Sequence, residues 1–381
     1  LREFGCDRTP VADKWAAVDA EREFQPYPIA AVGALNNADT DKALLCLLKE
    51  NTDKVFAGLC IAAMAVNADR KIICLPEGEE AYAEELAGKA AGFGIEVQTG
   101  IVNVRKTRGG AYHHFATLIA IADIFEGTYK PAVYLAVRKD GETGEVKAVE
   151  YGTKLADIVG TDDVKAIAVG NILYDDSALE MVIDENFSME NGVITVYPKT
   201  CCMVNETKVS VDAFKKQSCG KCTFCREGLN QISEFVNQVT QGKGGNDNVP
   251  MIKEIGGAMV FSTQCTLGER AAAFALNAVD IFANEFNDHI KKKKCPNNVC
   301  KAFSTVYIDP MLCTGCEECV EACPKDAIDG KAGYIHMIDD FDCDKCGKCI
   351  GVCEEEAIVL TTGRVPKLPT RLIRAGKFKK R

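Results

Sequence analysis

The chain has 381 residues, of which 47% are hydrophobic and 26% charged, and its formal net charge is −10. This balance is ordinary for a globular protein with a sizeable core, so disordered and fibrous classes are excluded, and the acidic excess argues against nucleic acid as a partner. No apolar run reaches the ~18 residues of a membrane span; Val55 to Ala68 comes nearest and is broken by Gly58 and Asn67. No charged-then-apolar leader opens the sequence, and Leu1 rather than Met stands first, which leaves room for residues ahead of it.

From residue 1 to 130, strand-length apolar runs alternate with helical patterns. Ile29 to Leu35 and Lys71 to Leu75 are the first two runs, and Ile95 to Val104 alternates as a strand does. Asp41 to Lys49, Lys54 to Asn67 and Glu79 to Ala91 carry helical spacing. Such alternation predicts a parallel sheet with crossover helices. Residues 131–198 read as a small β-rich domain of β-grasp type. Its strands are Ala132 to Val137, Val146 to Tyr151 and Ala166 to Val169, with Asp140-Gly141 and Thr143-Gly144 as turns and one short helix over Thr153 to Val159. Residues 199–300 read as helical. Arg226 to Gln241 places Leu229, Ile232, Phe235, Val236 and Val239 at helical periodicity, Gly242 to Asn248 is a loop, and Glu269 to Lys291 is a second long helix. Lys291 to Lys294 reads as a solvated helix end. Residues 301–360 form a cysteine module with an internal repeat. The tail after Glu356 has eight Lys/Arg and no acid, and reads as an extended arm suited to an acidic partner subunit.

Cysteine sets the chemistry. Of 20 cysteines, 16 fall between Cys201 and Cys353, mostly at two- or three-residue gaps. In a chain of this length that spacing fits metal ligation in a reducing cytoplasm better than disulfides. Cys313-x2-Cys316-x2-Cys319-x3-Cys323-Pro324 is followed by Cys343-x2-Cys346-x2-Cys349-x3-Cys353. This is the spacing of a two-cluster ferredoxin, in which the fourth cysteine of each run ligates the other cluster. Cluster one is therefore expected on Cys313, Cys316, Cys319 and Cys353, and cluster two on Cys343, Cys346, Cys349 and Cys323. Gly315 and Gly347 suit close approach of backbone amides to sulfide. A third set opens a helix at Ser218-Cys219-Gly220-Lys221-Cys222-Thr223-Phe224-Cys225-Arg226-Glu227-Gly228, with Cys265 of Gln264-Cys265-Thr266-Leu267-Gly268 as fourth ligand. Helix N-termini offer amides and positive dipole to an anionic cluster. Three [4Fe–4S] clusters are thus expected.

The third motif resembles that of the NADH-binding flavoprotein subunit of respiratory complex I. It is more similar still to the beta subunits of electron-bifurcating [FeFe]-hydrogenases and NAD-dependent formate dehydrogenases, which also continue into a two-cluster ferredoxin. The resemblance implies an α+β multidomain chain: a Rossmann-like flavin-type domain over 1–130, a β-grasp domain over 131–198, a helical iron–sulfur domain over 199–300, a ferredoxin module over 301–360 and a basic tail over 361–381. It also implies partners: an NADH-dehydrogenase-type or ferredoxin-reactive subunit, a catalytic reductase, dehydrogenase or hydrogenase subunit, and soluble ferredoxin.

The sequence departs from the family in its first residues. The family's flavin loop runs Leu-Arg-Gly-Arg-Gly-Gly-x-Gly-Phe-Pro-Thr-Gly-x-Lys-Trp. Here the stretch keeps Leu1, Arg2, Gly5, Pro10, Lys14 and Trp15 but has Glu3, Asp7 and Arg8. Glycines let such a loop present its amides to phosphate, whereas Glu3 and Asp7 bring negative charge and Arg8 brings bulk. The family's Asn-Ala-Asp-Glu survives as Asn37-Ala38-Asp39 followed by Thr40. Its Gly-Ala-Tyr survives as Gly110-Ala111-Tyr112, but the acidic pair that should follow is replaced by His113, His114, Phe115 and Ala116. A paralogue that lacks FMN and NADH is therefore expected, and no catalytic residue is assigned. The alternative is an active FMN-containing NADH dehydrogenase (diaphorase) subunit, for which the frame around Trp15 speaks.

The remaining signals are weaker. His289 with Cys295-Pro296-x3-Cys300, and Cys202 or Cys201 as a further donor, has the composition of a structural zinc site; buried or free thiols are the alternative. His113-His114 reads as an ordinary pair on a helix, His336 as exposed, and Gly109-Gly110 as a faint phosphate-loop signal. Cys6, Cys46, Cys60 and Cys74 read as small buried hydrophobes. Residues 309–356 hold 13 acids and 4 bases, a local excess that favours a basic docking face on a partner. Together these features predict a cytoplasmic electron-relay subunit with three clusters.

Overall fold

The computed structural model describes residues 1–24, 27–102 and 110–379. Asn103 and Val104 of the third expected strand, and Gly109 of the glycine pair, lie outside the described residues. Contacts divide the chain into two units, Leu1–Val236 with Asp247–Ala283, and Asn237–Asn246 with Asn284–Arg381.

The larger unit opens with α1 (Val11–Glu21), β1 (Ala30–Ala34), α2 (Leu45–Glu50), α3 (Thr52–Ala65), β2 (Arg70–Leu75), α4 (Glu80–Ala91), β3 (Ile95–Thr99), β4 (Gly110–His114) and α5 (Phe115–Glu126). The strands form one parallel sheet in the order β3-β2-β1-β4. Parallel strands covered on both faces read as unbroken apolar runs, which is why β1 and the second half of β2 show no alternation. The expected helix over 41–49 is shorter, because residues 41–44 make a turn in which the Leu45 amide bonds to the Lys42 carbonyl at 3.0 Å. His113 and His114 end a strand rather than lie on a helix, and both are buried. Gly58 interrupts the apolar run of α3 for a reason that packing supplies. A Cβ there would sit 2.0 Å from the Leu118 carbonyl oxygen of α5, so the two helices meet backbone to backbone.

Next come β5 (Ala132–Lys139), β6 (Glu142–Thr143), β7 (Lys147–Glu150), α6 (Leu155–Val159), β8 (Val164–Val169), β9 (Ile172–Asp175) and β10 (Val193–Pro198). Their sheet has the order β6-β5-β10-β8-β9, with β7 also paired to β5. β10 runs parallel to β5 and antiparallel to β8. Asp140 and Gly141 both have positive φ, at 50° and 82°, as a two-residue hairpin between β5 and β6 requires.

The helical region contains α7 (Met203–Gln217), α8 (Thr223–Thr240), α9 (Asn248–Ser262), α10 (Thr266–Ile281) and α11 (Ala283–Lys291). The single long helix expected over 269–291 is two: Phe282, at φ −104° and ψ 31°, leaves the helical region and ends α10.

The smaller unit holds β11 (Thr305–Ile308), α12 (Glu318–Glu321), β12 (Ile328–Asp329), β13 (Met337–Ile338), α13 (Lys348–Val352) and β14 (Ile358–Thr361). β11 pairs with β14 and β12 with β13, both antiparallel. The internal repeat is visible in its turns. Asp309 and Asp339 each accept the amide two residues on, at 2.8 Å, and the amide of the first cysteine of each run, Cys313 or Cys343, bonds to their carbonyls at 3.1 and 3.0 Å. Gly315 and Gly347 have φ of 80° and 78°. The tail is not a free arm throughout: the Ile335 amide bonds to the Ile373 carbonyl at 2.9 Å and the Ala375 amide to the Gly333 carbonyl at 3.0 Å, so these residues lie on their own module.

Two glycine substitutions should move stability in opposite directions. Gly58→Val forces α3 from α5 and should cost about 1–3 kcal/mol. Gly88→Ala, in α4 with nothing within 4 Å of the added carbon, should add up to ~1 kcal/mol of helix propensity. Equilibrium urea unfolding of both variants reads the two signs.

Candidate cluster sites and the amino-terminal pocket

In the smaller unit, a cavity is lined by Cys323, Cys343, Cys346 and Cys349, with Val306, Ile328 and Ile338 as its apolar walls. These are the four cysteines that the crossed ferredoxin pattern groups together. Burial raises the Cys349 thiol, and so do Cys343, Cys346 and Cys323 beside it. The Cys319 thiol is pushed up to about 11, by burial first and then by Cys313 and Cys316. Thiols so buried and crowded resist losing their protons, and a cationic iron core bound to them would supply the charge that favours the thiolates. Backbone amides already face the sulfurs: Ala327 N to Cys323 Sγ at 3.3 Å, and Ala357 N to Cys353 Sγ and Lys345 N to Cys343 Sγ at 3.4 Å. The donor set is all sulfur, as an iron–sulfur cluster needs.

The third set lies in the larger unit at the starts of two helices. Cys219 and Cys222 precede α8, Cys225 is in its first turn, and Cys265 is the N-cap of α10. Burial raises the Cys225 thiol, and Cys265, Cys222 and Cys219 add to the rise, so the four sulfurs are electrostatic neighbours. Ser218 Oγ lies 3.5 Å from Cys225 Sγ. Gly268 makes the approach of the two helices possible, since a Cβ there would sit 3.2 Å from Cys225 Cβ and 2.6 Å from the Thr263 methyl. In the sequence this glycine is only part of a motif; the packing supplies its reason.

His289, Cys295 and Cys300 converge in the smaller unit, where their ligand atoms lie within 4.8 Å of one another. All three are buried. Cys300 Sγ is 3.4 Å from His289 Nε2, and His289 Nδ1 is 2.7 Å from the Glu285 carbonyl. That second bond puts the proton on Nδ1 and leaves Nε2 free to ligate. Cys202 is wholly buried at the N-cap of α7 in the larger unit. Among the other cysteines, Cys74 is buried, whereas Cys6, Cys46 and Cys60 are only partly so.

The amino-terminal residues build a polar centre around Glu3, which is 2% exposed. Its Oε1 accepts from the His114 amide at 2.8 Å and from Thr117 Oγ1 at 2.7 Å; its Oε2 lies 2.6 Å from His113 Nδ1 and 3.1 Å from Lys14 Nζ. The Trp15 indole N–H donates to His113 Nε2 at 2.9 Å, so the imidazole proton sits on Nδ1, toward Glu3. His114 is the N-cap of α5, and the Glu3 carboxylate therefore takes the place at a helix N-terminus that suits an anion. Burial alone would raise the Glu3 carboxyl; His113, Lys14 and the surrounding hydrogen bonds outweigh it and hold the pKa down at about 2. Asp7 takes the other side of Lys14 at 3.1 Å, and Arg8 donates to the Glu3 carbonyl at 3.1 Å. Gly5, at φ 96°, leaves room for Asn36, whose Nδ2 donates to the Glu190 carbonyl at 2.9 Å. The Glu190 carboxylate in turn meets Arg270 of α10 at 2.9 Å.

A cavity of about 300 Å³ opens beyond the carboxyl ends of β1, β2 and β3, lined by Asn36, Asn37, Asp39, Lys42, Lys216 and Ser218 among others. Burial first, then Asp41, raises the Asp39 carboxyl to about 7. The expectation for His336 is corrected: this residue is 1% exposed, not open to solvent, because the chain from Gly330 folds it over the Cys313 loop. The four donors gathered on Glu3 are likewise invisible in the sequence, which shows only the charges of Glu3 and Lys14.

Residues 206–289 match the family model described as the NADH-ubiquinone oxidoreductase-F iron-sulfur binding region, and residues 306–329 match the 4Fe-4S binding domain. The NADP-reducing hydrogenase subunit HndC of Solidesulfovibrio fructosivorans is 37% identical over 142 residues, covering 37% of this chain and 29% of that protein. An NADH-quinone oxidoreductase subunit of Rhizobium meliloti is 31% identical over 105 residues, covering 28% of this chain and 25% of that protein. The chain thus spans less than a third of the length of these curated relatives. The crystal structure of NAD+-reducing [NiFe]-hydrogenase in the H2-reduced state superposes with a TM-score of 0.60 at 17% identity, over 76% of this chain and 61% of that one, and shares the fold. These matches bear out the resemblance carried by the cysteine motifs.

Replacing Glu3 should be costly, because Lys14, His113 and the His114 amide then lose a buried acceptor. Glu3→Ala is expected to lower unfolding stability by about 3 kcal/mol at neutral pH. Since the folded pKa lies below the ordinary 4.5, at about 2, this contribution is complete above pH 4.5 and is lost as pH falls toward 2. Unfolding free energies of the wild type and Glu3→Gln should therefore converge across that acid window.

Proposed function

We propose that this chain, a relative of NADH-binding subunits of quinone oxidoreductases and hydrogenases, is an electron-relay subunit with three [4Fe–4S] clusters and without its own FMN or NADH site. Cys219, Cys222, Cys225 and Cys265 would hold one cluster. Cys313, Cys316, Cys319 and Cys353 would hold a second, and Cys343, Cys346, Cys349 and Cys323 a third. Such clusters, when bound, supply one-electron couples tunable over roughly −700 to +450 mV. The chain's own residues set the local field. Helix N-termini at α8 and α10 and the amides of Ala327, Lys345 and Ala357 place positive dipole ends near the sulfurs. The 13 acids against 4 bases over 309–356 disfavour added electrons there and suit a partner with a basic face. Partners are other subunits of a redox complex, or soluble ferredoxin, in the cytoplasm.

The observation that carries the flavin-free reading is the Glu3 carboxylate. It uses the His114 amide at the start of α5, Thr117 Oγ1 and Lys14 Nζ, donors that would otherwise be open to a phosphate. Asp7 and Glu3 together also neutralise Lys14. A second reading, an active FMN-containing diaphorase subunit, is favoured by the 300 Å³ cavity at the strand ends with Asn37 and Asp39 in its wall. We also propose a structural zinc with His289, Cys295 and Cys300 among its ligands, a donor set suited to tetrahedral zinc.

Elemental and flavin analysis of the purified chain tests these assignments. About twelve irons per chain are expected, falling by about four in Cys265→Ser while the ferredoxin pair is kept. Acid extraction should release no stoichiometric FMN; a full equivalent, or bleaching of the clusters by NADH alone, would overturn the flavin-free reading. One zinc per chain, lost in Cys295→Ala, is expected for the fourth site.

A further inference from the structure

We infer that His336 is a positioning residue that sets the reduction potential of the cluster held by Cys313, by aiming a ring N–H at that ligand's sulfur. The inference rests on the assignment of cluster one above. His336 stands just before β13 and is 1% exposed. Its Nδ1 lies 4.0 Å from Cys313 Sγ, at the outer reach of an N–H···S contact. A thiolate that ligates iron can only accept, so the nitrogen facing it carries the proton. The other nitrogen, Nε2, is buried and has no hydrogen-bond partner; the Tyr334 backbone carbonyl also accepts from the ring, so the Nδ1 proton is shared between that carbonyl and the sulfur.

The ring is held there by the surrounding chain. A Cβ on Gly330 would lie 2.0 Å from His336 Cδ2 and 2.6 Å from Nε2, so only glycine leaves space for the imidazole. The segment is clamped on both sides. On one, the Gly333 amide bonds to the Gly315 carbonyl of the Cys313 loop at 3.0 Å; on the other, Ile373 and Ala375 of the tail pair with Ile335 and Gly333. A Cβ on Gly315 would meet the Tyr334 backbone at 2.6 Å. No second histidine stands in the corresponding place of the other repeat, so the device acts on one cluster of the pair. An N–H dipole pointed at a ligand sulfur in a buried site favours the more negative, reduced cluster and raises its potential.

The test is a potentiometric titration of the full chain with its clusters, followed by electron paramagnetic resonance. His336→Leu should lower the midpoint of one cluster by about a tenfold change in its reduction equilibrium, 59 mV for one electron, and leave the other two in place. His336→Gln, which keeps an N–H, should recover part of the shift. Gly330→Ala, which displaces the ring without removing it, should shift the same cluster in the same direction. An unchanged midpoint in His336→Leu and in Gly330→Ala, with about twelve irons retained, would refute the inference, as would equal shifts in the Leu and Gln variants. Wild-type chain with fewer irons would instead refute the cluster assignment beneath it.

Discussion

Crowded thiols are the constraint on which this molecule turns. Burial raises the Cys319, Cys349 and Cys225 thiols, and the neighbouring sulfurs raise each of them further. A cation that joined such sulfurs as thiolates would offset both their burial and their mutual repulsion. The smaller unit makes the dependence plain. Its apolar core is Val306, Ile308, Ile328, Ala357 and Ile358 with Cys319 and Cys349 among them, so these cysteines are themselves part of the interior. Stability and cofactor binding are then one equilibrium.

The amino-terminal half solves a different problem with the opposite means. Its core is large and apolar, running from Phe4 through α3 and α5 into the mixed sheet. Within it the Glu3 carboxylate is held by the His114 amide, Thr117 Oγ1, His113 Nδ1 and Lys14 Nζ. A parallel sheet leaves helix N-termini and strand ends facing one edge, and the chain fills part of that edge from within while leaving a polar hollow beside it. The Glu190–Arg270 pair then ties the same region to α10, the helix that Cys265 caps.

Much of this was legible in the sequence, for identifiable reasons. Cysteine spacing within a run is local, so the runs Cys219 to Cys225, Cys313 to Cys323 and Cys343 to Cys353 stand out without knowing the fold. The parallel sheet was legible because β1 and β2 are too apolar to face water. What was not legible depends on contacts distant in sequence. Gly58 reads as a weakness in a helix until Leu118 is seen against it. His336 reads as a polar residue in a connection until Gly330 and the Cys313 loop enclose it. The break at Phe282 was hidden because α10 and α11 keep a continuous amphipathic pattern across it. His113 and His114 read as helical because Phe115 to Ala122 is a helix, and its start cannot be fixed without the Glu3 carboxylate that meets it.

The pairing of β11 with β14 bears on how the ferredoxin module is made. All eight cysteines of its two runs lie between these two strands in the chain, and the tail residues that clamp Gly333 and Ile335 come later still. During synthesis, Thr305–Ile308 therefore waits with an open edge until both cysteine runs have left the ribosome. The order of emergence makes β14 and the residues that follow it the latch rather than the foundation of the ferredoxin half.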